Sequence, residues 1–269
     1  MSRTIIFNHI PRTGGTTLRI ILNKVYGENK VFFIKSKDIA SSLKEFENLS
    51  DKDRNNYDVL SGHGAELFSE LTENPFKICI LREPVSLFIS QYYYLKASPN
   101  SNFLEEVKTL ESIEDYLKYA ITNGQDNLLT RYLSNSMDFL IDPAIKIPDM
   151  NDQGNELLKL AIENLKKYDA VLSIDNFDNG IFELGEKLKW NRIPLYRPRN
   201  KSIKKEGNLI SIQFIEKLKE TLIYDIQLFD FFKKQHLDIG RNTNPSIRRK
   251  IFRSRQLIIE KASFLFKND

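Results

Sequence analysis

Three stretches of the chain carry side chains whose types and spacing could do chemistry. The first, Pro11-Arg12-Thr13-Gly14-Gly15-Thr16-Thr17, follows the apolar run Thr4–Ile10 and precedes a helical pattern that begins near Thr16. A strand, a tight turn and a helix N-terminus in that order bring together backbone N–H groups and the positive end of a helix dipole, which attract an anion. Pro11 stiffens the turn, and Gly14-Gly15 let a ligand approach the main chain. The run differs from G-x-x-x-x-G-K-[ST], because its basic residue, Arg12, stands before the glycines and none follows them. It suits a single 5′-phosphate and lacks the usual handle for a triphosphate with its metal. An ordinary glycine-rich strand-to-helix turn reads the same way on this stretch alone.

The second stretch is Leu81-Arg82-Glu83-Pro84-Val85, with Ser90 two helical turns further on. Arg82 can grip a second phosphate in a forked, charge-assisted way, and Ser90 can add a hydroxyl donor. A local ion pair for Arg82 and an incidental Ser90 is the competing reading. The third is Ser61-Gly62-His63-Gly64, where a neutral imidazole could accept a hydroxyl proton and the flanking glycines leave space for a substrate. His9 reads as a structural group or a support for the site, and His236 as the C-terminal cap of a helix. Cys79, inside Ile78-Cys79-Ile80-Leu81, reads as a buried thiol.

The elements that must position these residues alternate along the chain. Strands are expected at residues 4–10, 31–34, 57–64, 76–81 and 170–174. Helices are expected at residues 17–26, 38–49, 85–96, 155–168 and 177–188, with one long helix over 211–234. Residues 50–56 read as a surface loop, and 97–150 as a mostly helical insertion. The pattern predicts an α/β fold, a P-loop-like three-layer α/β/α architecture around a mainly parallel sheet. Ligands in such sheets bind at the strands' carboxyl ends, where the first loop, His63 and Arg82 all fall. One domain over 1–245 is expected, followed by a basic amphipathic helix or tail over 246–269.

Taken together, Ile10-Pro11-Arg12-Thr13-Gly14-Gly15-Thr16-Thr17-Leu18 and Leu81-Arg82-Glu83-Pro84-Val85 with Ser90 resemble the two nucleotide-binding segments of the sulfotransferases. These enzymes use 3′-phosphoadenosine 5′-phosphosulfate (PAPS) and release 3′-phosphoadenosine 5′-phosphate. The flavour is that of the carbohydrate branch with the uronyl 2-O-sulfotransferases. The resemblance implies that Arg12, Thr13, Gly14, Gly15, Thr16 and Thr17 cradle the 5′-phosphosulfate and that Arg82 and Ser90 hold the 3′-phosphate. It implies that His63 is the catalytic base, and that Arg199, Asn200, Lys201 and Ser202 form a late loop over the nucleotide. Asn127–Leu133 and Ala161–Trp190 resemble further family segments. Where the family carries Lys, this chain has Arg12, which keeps the charge for catalysis but cannot act as a compact proton donor.

The 269 residues, 41% hydrophobic and 28% charged, suit a globular protein with a full core. A net charge of +4 is compatible with an anionic ligand or acceptor and makes no case for nucleic acid. The single cysteine excludes an internal disulfide framework, and no Cys/His cluster suggests a metal. A strand so close to Met1 leaves no room for a signal peptide, so a cytoplasmic setting is expected. Residues 247–266 mix arginines with isoleucine, leucine and phenylalanine. They read first as a packed or solvated terminal helix, and second as a helix making peripheral contact with an anionic membrane. The acceptor implied by the resemblance is a carbohydrate or glycolipid; basic residues such as Arg131, Arg192 and Arg197 could meet an acidic sugar, and a solvated surface explains them as well. A P-loop nucleotide kinase and a non-catalytic nucleotide-binding or scaffold protein of the same fold are the alternatives. Oligomeric state is not legible.

Overall fold

The computed structural model describes residues 3–35, 38–97, 104–136, 138, 142, 144–197, 210–236 and 246–265. In chain order the elements are β1 (Ile5–Asn8), α1 (Gly15–Tyr26), β2 (Val31–Phe33), α2 (Ile39–Glu47), α3 (Asp51–Arg54), β3 (Val59–Gly62) and β4 (Phe76–Leu81). Then come α4 (Pro84–Ala97), α5 (Leu104–Thr109), α6 (Ile113–Thr122), α7 (Leu128–Leu133), α8 (Met150–Leu165), β5 (Ala170–Ser173) and α9 (Phe177–Lys187). The last are α10 (Ile212–Thr221), α11 (Ile223–His236) and α12 (Ile247–Leu265). Two compact units result: Met1–Leu81 with Tyr168–Asn200 and His236–Asp269, and Arg82–Lys167 with Lys201–Gln235.

The first unit holds the sheet, with strand order β2-β3-β1-β4-β5 and every pairing parallel. The side-chain alternation of a strand sorts the core into two faces. Ile5, Phe7, Val59, Ile78, Ile80 and Leu172 pack against Leu18, Ile21 and Leu22 of α1 and Ile181, Phe182 and Leu184 of α9. Phe32 meets Phe46 of α2 and Phe68 of a 3₁₀ segment, Ala65–Leu71. That segment also brings Glu66 to Lys77 of β4 at 2.5 Å and to the Tyr168 hydroxyl at 2.9 Å, which in turn accepts from Asn8 at 2.8 Å. The three-layer α/β architecture is thus the one the sequence predicts. β1 is central, and the chain turns first to one side of it and then to the other, which makes its carboxyl end a topological switch point. Cys79 lies in β4, fully buried, and burial holds its thiol well above the usual range.

The second unit is helical. Phe88 and Tyr92 of α4, Tyr116, Leu117 and Ala120 of α6, and Phe214 and Leu218 of α10 share one apolar cluster. The expected single helix over 211–234 is two, because α10 ends at Thr221 and α11 begins at Ile223. The restart serves α7. Asn127, the residue before α7, is left-handed (φ 44°) and caps nothing with its own side chain. Asp225 of α11 instead accepts from the Leu129 and Thr130 amides at 3.0 and 2.7 Å, while Asn127 accepts from the Asp225 amide and donates to the Thr221 carbonyl. Burial pushes the Asp225 carboxyl up to about 6 despite those two donors. Residues 50–56, expected as a loop, contain the one-turn helix α3, started by the Ser50 hydroxyl accepting from the Asp53 amide.

Arg131 corrects an expectation. It is 1% exposed and pairs with Asp126 at 2.8 Å, and its other donors reach the carbonyls of Asp126 and Pro148. It holds helices together and cannot meet an acceptor at the surface. Removing one partner of a buried pair strands the other charge, which typically costs about 3–5 kcal/mol. Asp126→Ala should therefore lower unfolding stability by that amount in urea titrations, and replacing both residues by apolar ones of similar volume should recover much of it.

Candidate active site

The first loop starts where β1 stops. β1 and β3 run in register up to Asn8 opposite Gly62, and the ladder continues one step further, with the His9 amide donating to the Gly62 carbonyl at 3.0 Å. The residues next in line, His9 and His63, therefore emerge side by side at the carboxyl edge. Their rings stack with centroids 4.6 Å apart and planes inclined by 23°.

His63 is oriented by backbone. Its Nδ1 lies 2.5 Å from the His9 carbonyl oxygen. A carbonyl can only accept, so Nδ1 carries the hydrogen and the basic lone pair falls on Nε2. Burial is the main cause that lowers the His63 pKa below the usual 6.5, and the Arg19 guanidinium adds to it, against the opposing effect of the His9 carbonyl. His9 is lowered further, by burial first and then by His63, Arg19 and Arg12. Both rings are neutral at neutral pH.

The two glycines beside His63 do different work from the one expected of them. A Cβ on Gly62 would sit 2.6 Å from Ile34 Cβ and 2.8 Å from the Ile34 carbonyl oxygen, so the space there is filled by the chain leaving β2 rather than left for a substrate. Gly64 has φ +70°, a left-handed turn that side chains adopt reluctantly, and the 3₁₀ segment begins immediately after it.

The loop closes on itself before α1 begins. The Thr13 hydroxyl donates to the Ile10 carbonyl at 2.8 Å, so this buried side chain shapes the turn, and its contribution to an anion falls to the backbone amide. Arg12 is left-handed (φ 61°), as is Gly14 (φ 93°), and a Cβ on Gly15 would collide with the His9 ring. Thr16 is partly exposed and Thr17 is buried. Five helices start with a side-chain acceptor: Asp38, Ser50, Ser112, Asp149 and Ser211 each accept an amide of the first turn. α1 has no such cap and no acidic residue in its first turn. The Thr17 and Leu18 amides donate to the Gly14 carbonyl at 3.0 and 3.3 Å, so a twelve-residue helix that begins this way after glycines leaves the amides ahead of them for an external anion, and these residues fit the phosphate of a nucleotide.

The helix that follows β4 differs. Glu83 accepts from the Val85 and Ser86 amides at 3.0 and 2.7 Å, which occupies the first turn of α4. A phosphate held by this segment must rely on side chains. Arg82 directly follows the last residue of β4 and is partly buried; Ser90 is 3% exposed. Beside it Gln91 is buried, with an amide oxygen that has no partner among the described residues. Arg199, Asn200, Lys201 and Ser202 lie outside the described residues.

The structure thus brings Arg12 to Thr17 together with His63 in one unit, and places Arg82 and Ser90 on a single strand-to-helix junction. His9 supports the site, as one of its two sequence readings has it, but its stacking on His63 is not readable there, since nothing in a sequence says that β1 and β3 are neighbours. Sequence reasoning missed Arg19, whose charge bears on both histidines. Among the described residues no group of three or more His, Cys, Asp or Glu is assembled to hold a metal ion, and no helix is long and apolar enough to cross a membrane.

A search of the curated proteins finds no match to the chain. A comparison with models of protein families matches residues 2–257 to the sulfotransferase family, whose enzymes transfer a sulfuryl group and generally take it from PAPS. The match covers nearly the whole chain and both strand-to-helix junctions described above: this protein belongs to the sulfotransferase family and is a sulfotransferase enzyme.

Proposed function

We propose that the enzyme moves the sulfuryl group of PAPS to a hydroxyl of a carbohydrate or glycolipid acceptor, with His63 as general base. The observation that carries this reading is the hydrogen bond from His63 Nδ1 to the His9 carbonyl, because His9 is also the residue from which the phosphate loop departs. Base and anion cradle then share one anchor.

In this reading Nε2 of His63 takes the proton of the acceptor hydroxyl, and the imidazolium that forms is stabilised by the His9 carbonyl on its other nitrogen. The bound donor supplies the group transferred: the acceptor oxygen bonds to sulfur as the bond from sulfur to the 5′-phosphate oxygen breaks. Arg12 and the amides of residues 13–16 hold the negative charge that collects on that phosphate, and Thr17, whose amide donates to the Gly14 carbonyl at 3.0 Å, contributes through its side chain. Arg12 contributes charge and no proton, since its guanidinium stays protonated. Arg82 and Ser90 bind the 3′-phosphate, and Arg199 to Ser202 close over the nucleotide. No metal is required for these roles. The family assignment sets aside the nucleotide-kinase and scaffold alternatives. Peripheral contact of the basic α12 with an anionic membrane belongs to the same reading, because it would bring a cytoplasmic enzyme to a glycolipid acceptor.

His63→Ala should cut turnover by roughly 10²–10⁴-fold while leaving the dissociation constant for 3′-phosphoadenosine 5′-phosphate within a few-fold; retained turnover rejects the base. A base must be unprotonated, and the His63 pKa is lowered from 6.5. Turnover should therefore be level through neutrality and fall only as the pH drops below about 6.5, and an acid limb centred above that value contradicts the assignment. Arg82→Ala should weaken the same nucleotide by roughly 10- to 100-fold in calorimetry, and unaltered affinity removes Arg82 from the site.

A further inference from the structure

Helix α12 is tied down by a narrow stripe. Phe252 packs on Phe182 with ring centroids 5.9 Å apart, and Gln256, fully buried, exchanges two hydrogen bonds with the backbone of Tyr196. Arg249 pairs with Glu183 and Arg248 with Glu186, both on α9. At 100° per residue Ile247 and Ile258 fall on the opposite side of the helix, with Ile251 at the edge of the same stripe, where it also lines the cleft beneath the helix. Ile247, Ile251 and Ile258 are 76%, 47% and 67% exposed. Large aliphatic side chains this exposed add little to the core.

The charge distribution matches that stripe. Residues 247–261 hold six basic side chains, Arg248, Arg249, Lys250, Arg253, Arg255 and Lys261, against the single acid Glu260. The chain as a whole is only +4, so everything outside this helix is slightly acidic. Under the helix lies a cleft of about 220 Å³ with a floor of Phe182, Ile193 and Phe252 and a rim of Arg192, Arg248 and Arg255. An apolar floor beneath a cationic rim matches an anionic amphiphile, whose phosphate meets the guanidinium groups and whose chain continues into the apolar part.

We propose that α12 lies on an anionic lipid surface, with the isoleucine stripe at the acyl boundary and the Arg192–Arg248–Arg255 cleft binding a phosphate headgroup. This deepens the peripheral-membrane element of the reading above, and it is tested by binding alone, so its failure and a failure of the sulfuryl chemistry are separable. The occupant is a membrane and not a second copy of the chain, because two such helices face to face would set like charges against each other.

The test is co-sedimentation of the full chain with phosphatidylcholine vesicles, with and without phosphatidylserine, at low and physiological salt. Binding is expected only with the anionic lipid, and it should weaken as salt rises. Ile247→Glu with Ile258→Glu, at exposed positions outside the cleft that leave Phe252 and Gln256 intact, should reduce it at least roughly tenfold. Arg192→Glu with Arg255→Glu should do the same through charge, and circular dichroism should find both variants folded. Unchanged binding by either folded variant overturns the proposal. So does inorganic phosphate that occupies the cleft while the chain ignores vesicles, or a concentration-dependent dimer lost in the isoleucine variant without vesicle binding.

Discussion

The hydrogen bond from the His9 amide to the Gly62 carbonyl, 3.0 Å long, is the step on which the site rests. It carries the β1–β3 ladder one residue beyond both strands, so that the residue opening the glycine-rich loop and the candidate base leave the sheet as neighbours. The His63 ring then returns the tie by donating to the His9 carbonyl. Both groups are backbone-anchored at one end, so the imidazole is fixed by the strongest positioning the fold has and not by a flexible side chain. The packing around them follows: Gly62 is glycine because Ile34 lies against it, and Gly15 is glycine because the His9 ring does.

Below this edge the sheet is polar where it might have been apolar. Asn8, Tyr168, Glu66 and Lys77 form a connected set on one face, with ion-pair and hydroxyl contacts of 2.5–2.9 Å. Burial of such groups is costly without partners, and in this set the Asn8 amide oxygen alone has none among the described residues. The set fixes the last residue of β1 and the segment after His63 against each other, so the loop grows from a rigid base. The same economy explains α1 and α4. α4 satisfies its first turn internally through Glu83, whereas no side chain caps the first turn of α1.

Much of this was legible in the sequence, because strand-to-helix junctions announce themselves by glycine, proline and a change of period. The apolar runs gave the strands, and the loops at their carboxyl ends gave Arg12 to Thr17, His63 and Arg82. The rest depended on contacts between residues far apart in the chain. Asp225, Asn127 and Arg131 look like surface polar residues until α7 and α11 are placed together; then Asp225 caps a helix and Arg131 becomes core. The break at Leu222 had no proline or glycine to signal it. His9 and His63 are more than fifty residues apart, and only the strand order makes them a stacked pair.

Gln256 binds the Tyr196 backbone through both its amide oxygen and its amide nitrogen. The Tyr196 hydroxyl also donates to Asp178 of α9, and its ring meets Phe177 edge-on. The segment that leaves α9 is therefore clasped between that helix and α12, so loosening the terminal helix would strand the buried Tyr196 amide and carbonyl without partners.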